Sequence, residues 1–304
     1  MSTPSHRRGL TAVLAGASLL GFSAIFVRWA MAGGASPLTV GLYRMLFALP
    51  GALVLAARSG GVGGGRGRRW ALAAGLAFSL DLVLWHAAMR ETTAANATLL
   101  VGGLSPIWVA LFSAVAFKRR TRFIGWLGQA VGLAGALVLA LARGARGGNG
   151  TGEALAVAAS FCYAAFTLTI SKSRRTLNAP QALLWMSLGC LGCFALGLVV
   201  TGDPLRGFDA RAWASLVGLG LVVQLLGWWL NSWGLGHVDA PTGAIALQMQ
   251  QVATPILAAW LLAEPLRPLG ITGGAGIIGG IVMVAAGASP RRTEDAAVVA
   301  LEPR

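Results

Sequence analysis

Ten stretches of about twenty apolar residues, separated by short polar junctions, constrain this chain more than any other feature. A helix rises 1.5 Å per residue, so about twenty apolar residues cross a hydrocarbon core roughly 30 Å thick. Runs of that length fall near residues 10–31, 37–57, 70–89, 94–117 and 123–142, then 153–171, 179–201, 212–235, 240–263 and 268–287. In lipid a segment must satisfy its own backbone N–H and C=O groups, so each run is predicted to be a helix. The junctions at 90–93 and 236–239 are short enough for antiparallel hairpins.

Composition agrees with that reading. Only 11% of the 304 residues are charged and mean hydropathy is +0.71, where a soluble domain needs roughly 25% charged residues to cover its surface. The outer surface must therefore face a lipid bilayer. Arg7 and Arg8 precede the first run as they would in a secretory signal. That run is longer than the usual signal core of about 7–15 residues, so it reads as a retained helix.

The net charge of +14 would suit nucleic acid, but the cations sit in the junctions between apolar runs. That placement marks orientation signals, and no nucleic-acid partner is expected. With the N-terminus inside, sixteen of the 24 Lys and Arg residues fall in cytoplasmic segments. Six (Arg90, Arg143, Arg146, Arg206, Arg211 and Arg267) fall in outer loops, and Arg28 and Arg44 lie within spans. Both termini are expected in the cytoplasm, the chain being a multi-pass protein of the cell inner membrane.

The two halves repeat. Ala94-Ala95 precede Ser105-Pro106-Ile107, and Gly243-Ala244 precede Thr254-Pro255-Ile256 at the same offset of 149 residues. Ser36-Pro37 and Ala179-Pro180 open the second helix of each half, which pairs Arg44 with Ser187. Five is an odd number, so the second copy must enter the membrane the other way up. The fold class expected is all-α integral membrane, ten transmembrane helices in two inverted five-helix repeats. The boundaries expected are a tail at 1–9, a first repeat at 10–142, a loop at 143–152, a second repeat at 153–287 and a tail at 288–304. Inverted repeats are a common plan of secondary transporters, with substrate bound near the midplane between the halves.

Several motifs in order resemble the drug/metabolite transporter superfamily, specifically proteins with two EamA domains. They are S-P-L-T-V-G-L-Y-R at 36–44, T-T-A-A-N-A-T-L-L at 92–100 with S-P-I-W at 105–108, and A-P-T-G-A at 240–244 with T-P-I-L and A-E-P-L around Glu264. The resemblance covers roughly residues 10–288. It implies export or exchange of metabolites such as amino acids by alternating access. The family often ends helices four and nine in Leu-Gly-Glu-Arg. Here the second copy keeps Glu264, while the first reads F-K-R-R with Lys118 where an acid is expected.

Ionisable groups inside a bilayer cost about 2.5–3.5 kcal/mol at a helix centre on insertion scales, so each needs a reason. Asp81 falls near the middle of the third span, with Trp85 one turn along on the same face and His86 close by. It could take a coupling proton or meet a cationic substrate group, or be paired for packing. Arg44 falls roughly 10 Å into the second span, at a depth overlapping His86 and Asn96. It could bind a substrate carboxylate or form a structural pair with Asp81. His86 could relay protons with Asp81, but at a spacing of five the two do not share a face, so it is expected mainly as a hydrogen-bonded interfacial residue. Gln224, Trp228 and Asn231 share one face of the eighth span at α-helical spacing, and Gln248 and Gln251 share one face of the ninth. Pro106 and Pro255 are hinge candidates.

Other chemistry is not indicated. The Gly-rich segment at 60–67 lacks a phosphate-loop Lys-Ser/Thr ending, the three His lie at different depths, and no nucleophile elbow occurs. No cofactor, metal or catalytic residue is expected. Cys162, Cys190 and Cys193 read as small buried residues. The spacings Gly128/Gly132, Gly270/Gly274 and Gly276/Gly280 read as packing seams, and spans five and ten as packing or homodimer contacts. The competing readings are an intramembrane enzyme using Asp81 and His86 on a lipid, and a non-transporting scaffold or sensor.

Overall fold

The computed structural model describes residues 4–117, 123–141, 150–235, 237, 246–247 and 249–287. Lys118, the 240–244 motif, Gln248 and most of both tails lie outside the described residues.

The described elements are helices. Span 1 is Pro4–Gly21 and Ser23–Ala32, broken at Phe22; spans 2 to 5 are Pro37–Arg58, Gly65–Glu91, Ala94–Phe117 and Phe123–Leu141. Span 6 is Thr151–Ser173 and span 7 Ala179–Thr201. Span 8 runs Ala210–Gly218, then a π-helical stretch Leu219–Gly227, then Trp228–Leu235. Span 9 includes Met249–Leu261 and span 10 is Pro268–Gly287. By length and composition, six helical stretches among the described residues are able to cross a membrane: 6–32, 37–58, 65–91, 151–173, 179–201 and 210–235.

Span 3 starts at Gly65 and not near residue 70, taking Arg66, Arg68 and Arg69 into the helix. Hydropathy locates where a helix meets lipid, and the helix itself continues past that point.

Caps fix the helix starts. Ser36 Oγ accepts the Thr39 N–H with Pro37 at the first helical position. Asn178 and Gln181 form a reciprocal capping box at span 7, and Asp209 Oδ1 accepts the Ala212 N–H at 2.7 Å. Each removes an orphan donor that the first turn cannot satisfy internally.

The packing has the symmetry of a repeat. Span 3 lies along span 6 and span 1 along span 8; span 2 lies on span 7 and span 5 on span 10. Exchanging the halves maps each pairing onto itself or onto another in the set. With five spans per half, the two repeats are inverted.

The seams depend on glycine. A Cβ on Gly75 of span 3 would lie 2.5 Å from the Met186 carbonyl oxygen of span 7. A Cβ on Gly280 would lie 2.5 Å from Gly132 N and 2.6 Å from Gly128 O, so spans 5 and 10 pack through each other's small residues. The expected Gly270/Gly274 seam does not form among the described residues: a Cβ on Gly270 would have nothing within 4 Å and one on Gly274 would meet only Leu99. It stands at the start of span 10, before the helices converge.

Two side-chain clasps join the repeats, one on each face of the bundle. On the face where spans 2 and 8 begin, Thr39 Oγ1 donates to Pro204 O at 3.0 Å and Tyr43 OH to Leu205 O at 2.8 Å. On the N-terminal face, Gln181 Nε2 donates to Gly61 O at 3.0 Å and Trp185 Nε1 to Val62 O at 2.8 Å. Both pairs of donors sit at i and i+4, counted from Ser36 and Asn178 as caps. That cap register corrects the expected pairing of Arg44 with Ser187. Proline is the first helical residue of span 2 but the second of span 7, so Arg44 corresponds to Met186.

Candidate functional site

Arg44 is 3% exposed, and a guanidinium so buried must be held by the protein. Its Nε donates to Gln224 Oε1 at 2.8 Å and its Nη1 to Ser23 Oγ at 3.0 Å, while its Cζ lies 5.8 Å from the Phe78 ring centroid. The partners come from spans 8, 1 and 3, so Arg44 bridges both repeats. Two backbone irregularities serve it: Ser23 follows the break at Phe22, and Gln224 sits in the π-helical stretch. Irregular backbone at membrane depth is tolerated where it is buried in protein or lines a cavity, and π turns occur often at functional sites.

Asp81 is also 3% exposed and lies one turn from Phe78 on span 3. It is not within 4 Å of Arg44. The direct pair considered from sequence is therefore absent. Asp81 Oδ1 has no hydrogen-bond partner among the described residues, and neither do Trp85 Nε1, Gln224 Nε2, Trp228 Nε1 or both amide atoms of Asn231. Leaving one buried polar group unpaired costs about 1–3 kcal/mol. So many unpaired polar atoms in one bundle call for an explanation beyond packing.

Aromatic rings flank this cluster. Phe78 lies 4.7 Å from Phe166 by centroids, 6.3 Å from Tyr163 and 6.3 Å, edge-on, from Trp228. Spans 3, 6 and 8 thus meet beside Arg44 and Asp81.

The other expected residues are dispersed. Gln224 lies in the π-helical stretch of span 8, and Trp228 and Asn231 lie in the α-helix that follows it. Gln224 faces Arg44, Trp228 faces Phe78 and Phe166, and Asn231 packs against Gly16 of span 1. Gln251 packs against Gly102 of span 4, with its Oε1 unpartnered. His86 is fully buried, its Nδ1 3.1 Å from Pro37 O at the start of span 2. Asn96 is half-buried, its N–H held by Thr93 Oγ1 in the first turn of span 4. Pro106 and Pro255 lie inside continuous helices.

Ser23, Phe78, Tyr163 and Phe166 were not singled out from sequence. Nothing in an apolar run distinguishes a Ser or Phe that faces an Arg from one that fills a gap. Gly21 and Ser23 flank the Phe22 break, and Gly218, Gly220 and Gly227 stand near the ends of the π turns, but glycine is scattered through the apolar runs of this chain and so does not mark them.

Residues 7–141 and 150–286 each match the EamA-like transporter family. The chain belongs to this family. The match covers both five-helix repeats, and it makes the chain a multi-pass membrane transporter and not an enzyme. Among similar proteins, the uncharacterized transporter YdfC of Bacillus subtilis is 26% identical over 213 residues, covering 68% of this chain and 67% of that one. The uncharacterized transporter YwfM of Bacillus subtilis is 23% identical over 214 residues, 70% of this chain and 72% of that one. A protein of known crystal structure aligns with a TM-score of 0.66 at 20% identity, covering 93% of this chain and 96% of its own, a likeness of fold alone.

Proposed function

We propose that this EamA-like transporter is a secondary transporter that exports or exchanges a small polar metabolite, such as an amino acid. It works by alternating access around a central cavity between the repeats. The observation that supports this reading is Arg44, buried at membrane depth, bonded to Gln224 of the second repeat and Ser23 of the first, with Asp81 Oδ1 lacking a hydrogen-bond partner among the described residues.

Arg44 is the substrate-carboxylate group, since its planar fork matches a carboxylate in two bonds. Asp81 accepts a coupling proton or meets a cationic group of the substrate. Gln224, Trp228, Asn231, Gln251 and Gln248 supply amide and indole contacts, while Trp85, His86 and Asn96 shape the path beside Asp81. Pro106 and Pro255 let spans 4 and 9 bend as the halves rock.

The orientation proposed is both termini in the cytoplasm of a cytoplasmic membrane. Among the described residues the N-terminal face carries Arg7, Arg8, Arg58, Arg66, Arg68, Arg69, Lys172, Arg174 and Arg175 and no acid. The far face balances Arg28, Arg90, Arg206, Arg211 and Arg267 against Glu91, Glu153, Asp203, Asp209 and Glu264. The surplus of cations on the described N-terminal face favours that face inside.

Uptake into proteoliposomes across a panel of amino acids and other metabolites, with and without a pH gradient, tests this. Saturable movement of a carboxylate-bearing solute, changed by the gradient, is expected. Movement of none of the panel in any gradient overturns the reading.

A further inference from the structure

The N-terminal face concentrates cations from both repeats at one seam. Arg66 and Arg68 lie at the start of span 3, Lys172 at the end of span 6, and Arg174 and Arg175 just after it. All five are exposed. Spans 3 and 6 pack along their length, and Gly67 comes so near the junction between spans 6 and 7 that a Cβ there would lie 2.8 Å from Leu177 Cγ.

The contacts across this seam are reciprocal. Lys172 Nζ of the second repeat sits 4.3 Å from the ring centroid of Trp70 in the first. Arg68 Cζ of the first repeat sits 5.2 Å from the ring centroid of Trp185 in the second. Among the described residues, none of the five cations has a carboxylate within 4 Å. Five like charges from two repeats are thus gathered at one seam, with indoles beside two of them and no carboxylate within 4 Å among the described residues.

We propose that this seam binds the phosphate of an anionic phospholipid, which bridges the two repeats on the N-terminal face. Charge complementarity selects an anion, and the location selects a lipid. The cluster lies where transmembrane helices end, beside tryptophans of the kind that sit at headgroup level. Basic pockets between transmembrane helices take anionic headgroups in this way, and Arg binds phosphate through paired N–H donors. Span 3 also exposes Leu76 and Leu80 deeper in the bilayer, apolar surface suited to acyl chains.

Native mass spectrometry of the purified full chain, titrated with phosphatidylglycerol or phosphatidylcholine, tests the site. Phosphatidylglycerol is expected to be retained selectively. Each neutralisation, Lys172→Gln or Arg174→Gln, is expected to weaken its retention about fivefold. Arg206→Gln on the far face and the charge-keeping Lys172→Arg should leave retention unchanged. Equal retention of phosphatidylcholine overturns the proposal, as does unchanged phosphatidylglycerol retention in the Lys172→Gln/Arg174→Gln double variant. Full displacement of the lipid by glycerol 3-phosphate would assign the site to a soluble anion and also overturn it. Should the double variant not purify as a monodisperse protein, the comparison of the two lipids on the wild-type chain decides.

Discussion

Arg28 and Glu264 meet at 3.0 Å, joining the end of span 1 to the end of span 9 across the repeat boundary. Glu264 also accepts the Ala94 N–H at 3.0 Å and the Ala95 N–H at 3.3 Å, while Arg28 donates to Thr92 O at 2.9 Å. One carboxylate therefore caps span 4 and pairs with a cation from span 1, where a negative charge also suits the positive end of the helix. Thr92 Oγ1 extends the network to Glu153 of span 6 at 2.9 Å.

Removing that carboxylate should loosen three spans at once, 1, 4 and 9. Glu264→Ala is expected to lower stability by about 1–3 kcal/mol, from a lost cap and a lost charged hydrogen bond. Glu264→Gln keeps an acceptor and should lose less. Thermal unfolding of the purified variants checks the order Ala worse than Gln; equal stability of all three proteins would contradict it.

The two clasps should act independently because they lie on opposite faces. Tyr43→Phe and Trp185→Phe each remove one hydrogen bond and should each cost about 0.5–1.5 kcal/mol. The double variant should lose the sum of the two within about 0.5 kcal/mol, as separated sites do. Thermal unfolding of the four proteins measures it, and a marked departure from additivity would show that the faces are coupled.

The glycine seam makes a sharper contrast. Gly280→Val should destabilise by about 1–3 kcal/mol, since its side chain would meet the backbone of Gly132 and Gly128. Gly270→Ala, in open space, should be tolerated. Equal loss in both would mean that spans 5 and 10 do not pack as described. This seam is already occupied within one chain, so a homodimer through these spans would have to use their outer faces.

The framework was legible because lipid leaves a helix few alternatives: a run of apolar residues is both a span and a helix. The inverted plan followed from the odd number of spans and from the paired Ser105-Pro106 and Thr254-Pro255. Arg44 and Asp81 stood out because a charge in an apolar run is conspicuous. Their partners did not. Gln224 reaches Arg44 from a π-helical stretch, and the sequence around it still reads as an ordinary α-helix. Glu264 was visible as a retained acid, but its union with Arg28 and the start of span 4 depends on how the halves interlock. The clasps were hidden for a different reason. Thr39 and Tyr43 in one half answer to Gln181 and Trp185 in the other, equivalent in position and unlike in chemistry.

Orientation is open to a direct check. Reporter fusions at the two termini are expected to read as cytoplasmic at both ends, given nine cations without an acid on the described N-terminal face. Termini on opposite sides would contradict the ten-span inverted plan, and both outside would contradict the orientation.

The most direct test concerns Arg44. Flux of the solute identified from the proteoliposome panel should fall at least tenfold in Arg44→Gln and remain low in Arg44→Lys, because a point charge does not replace the planar fork. Asp81→Asn should abolish the response of flux to a pH gradient. Wild-type flux in Arg44→Gln, together with an intact pH response in Asp81→Asn, would contradict a polar path built around these two residues.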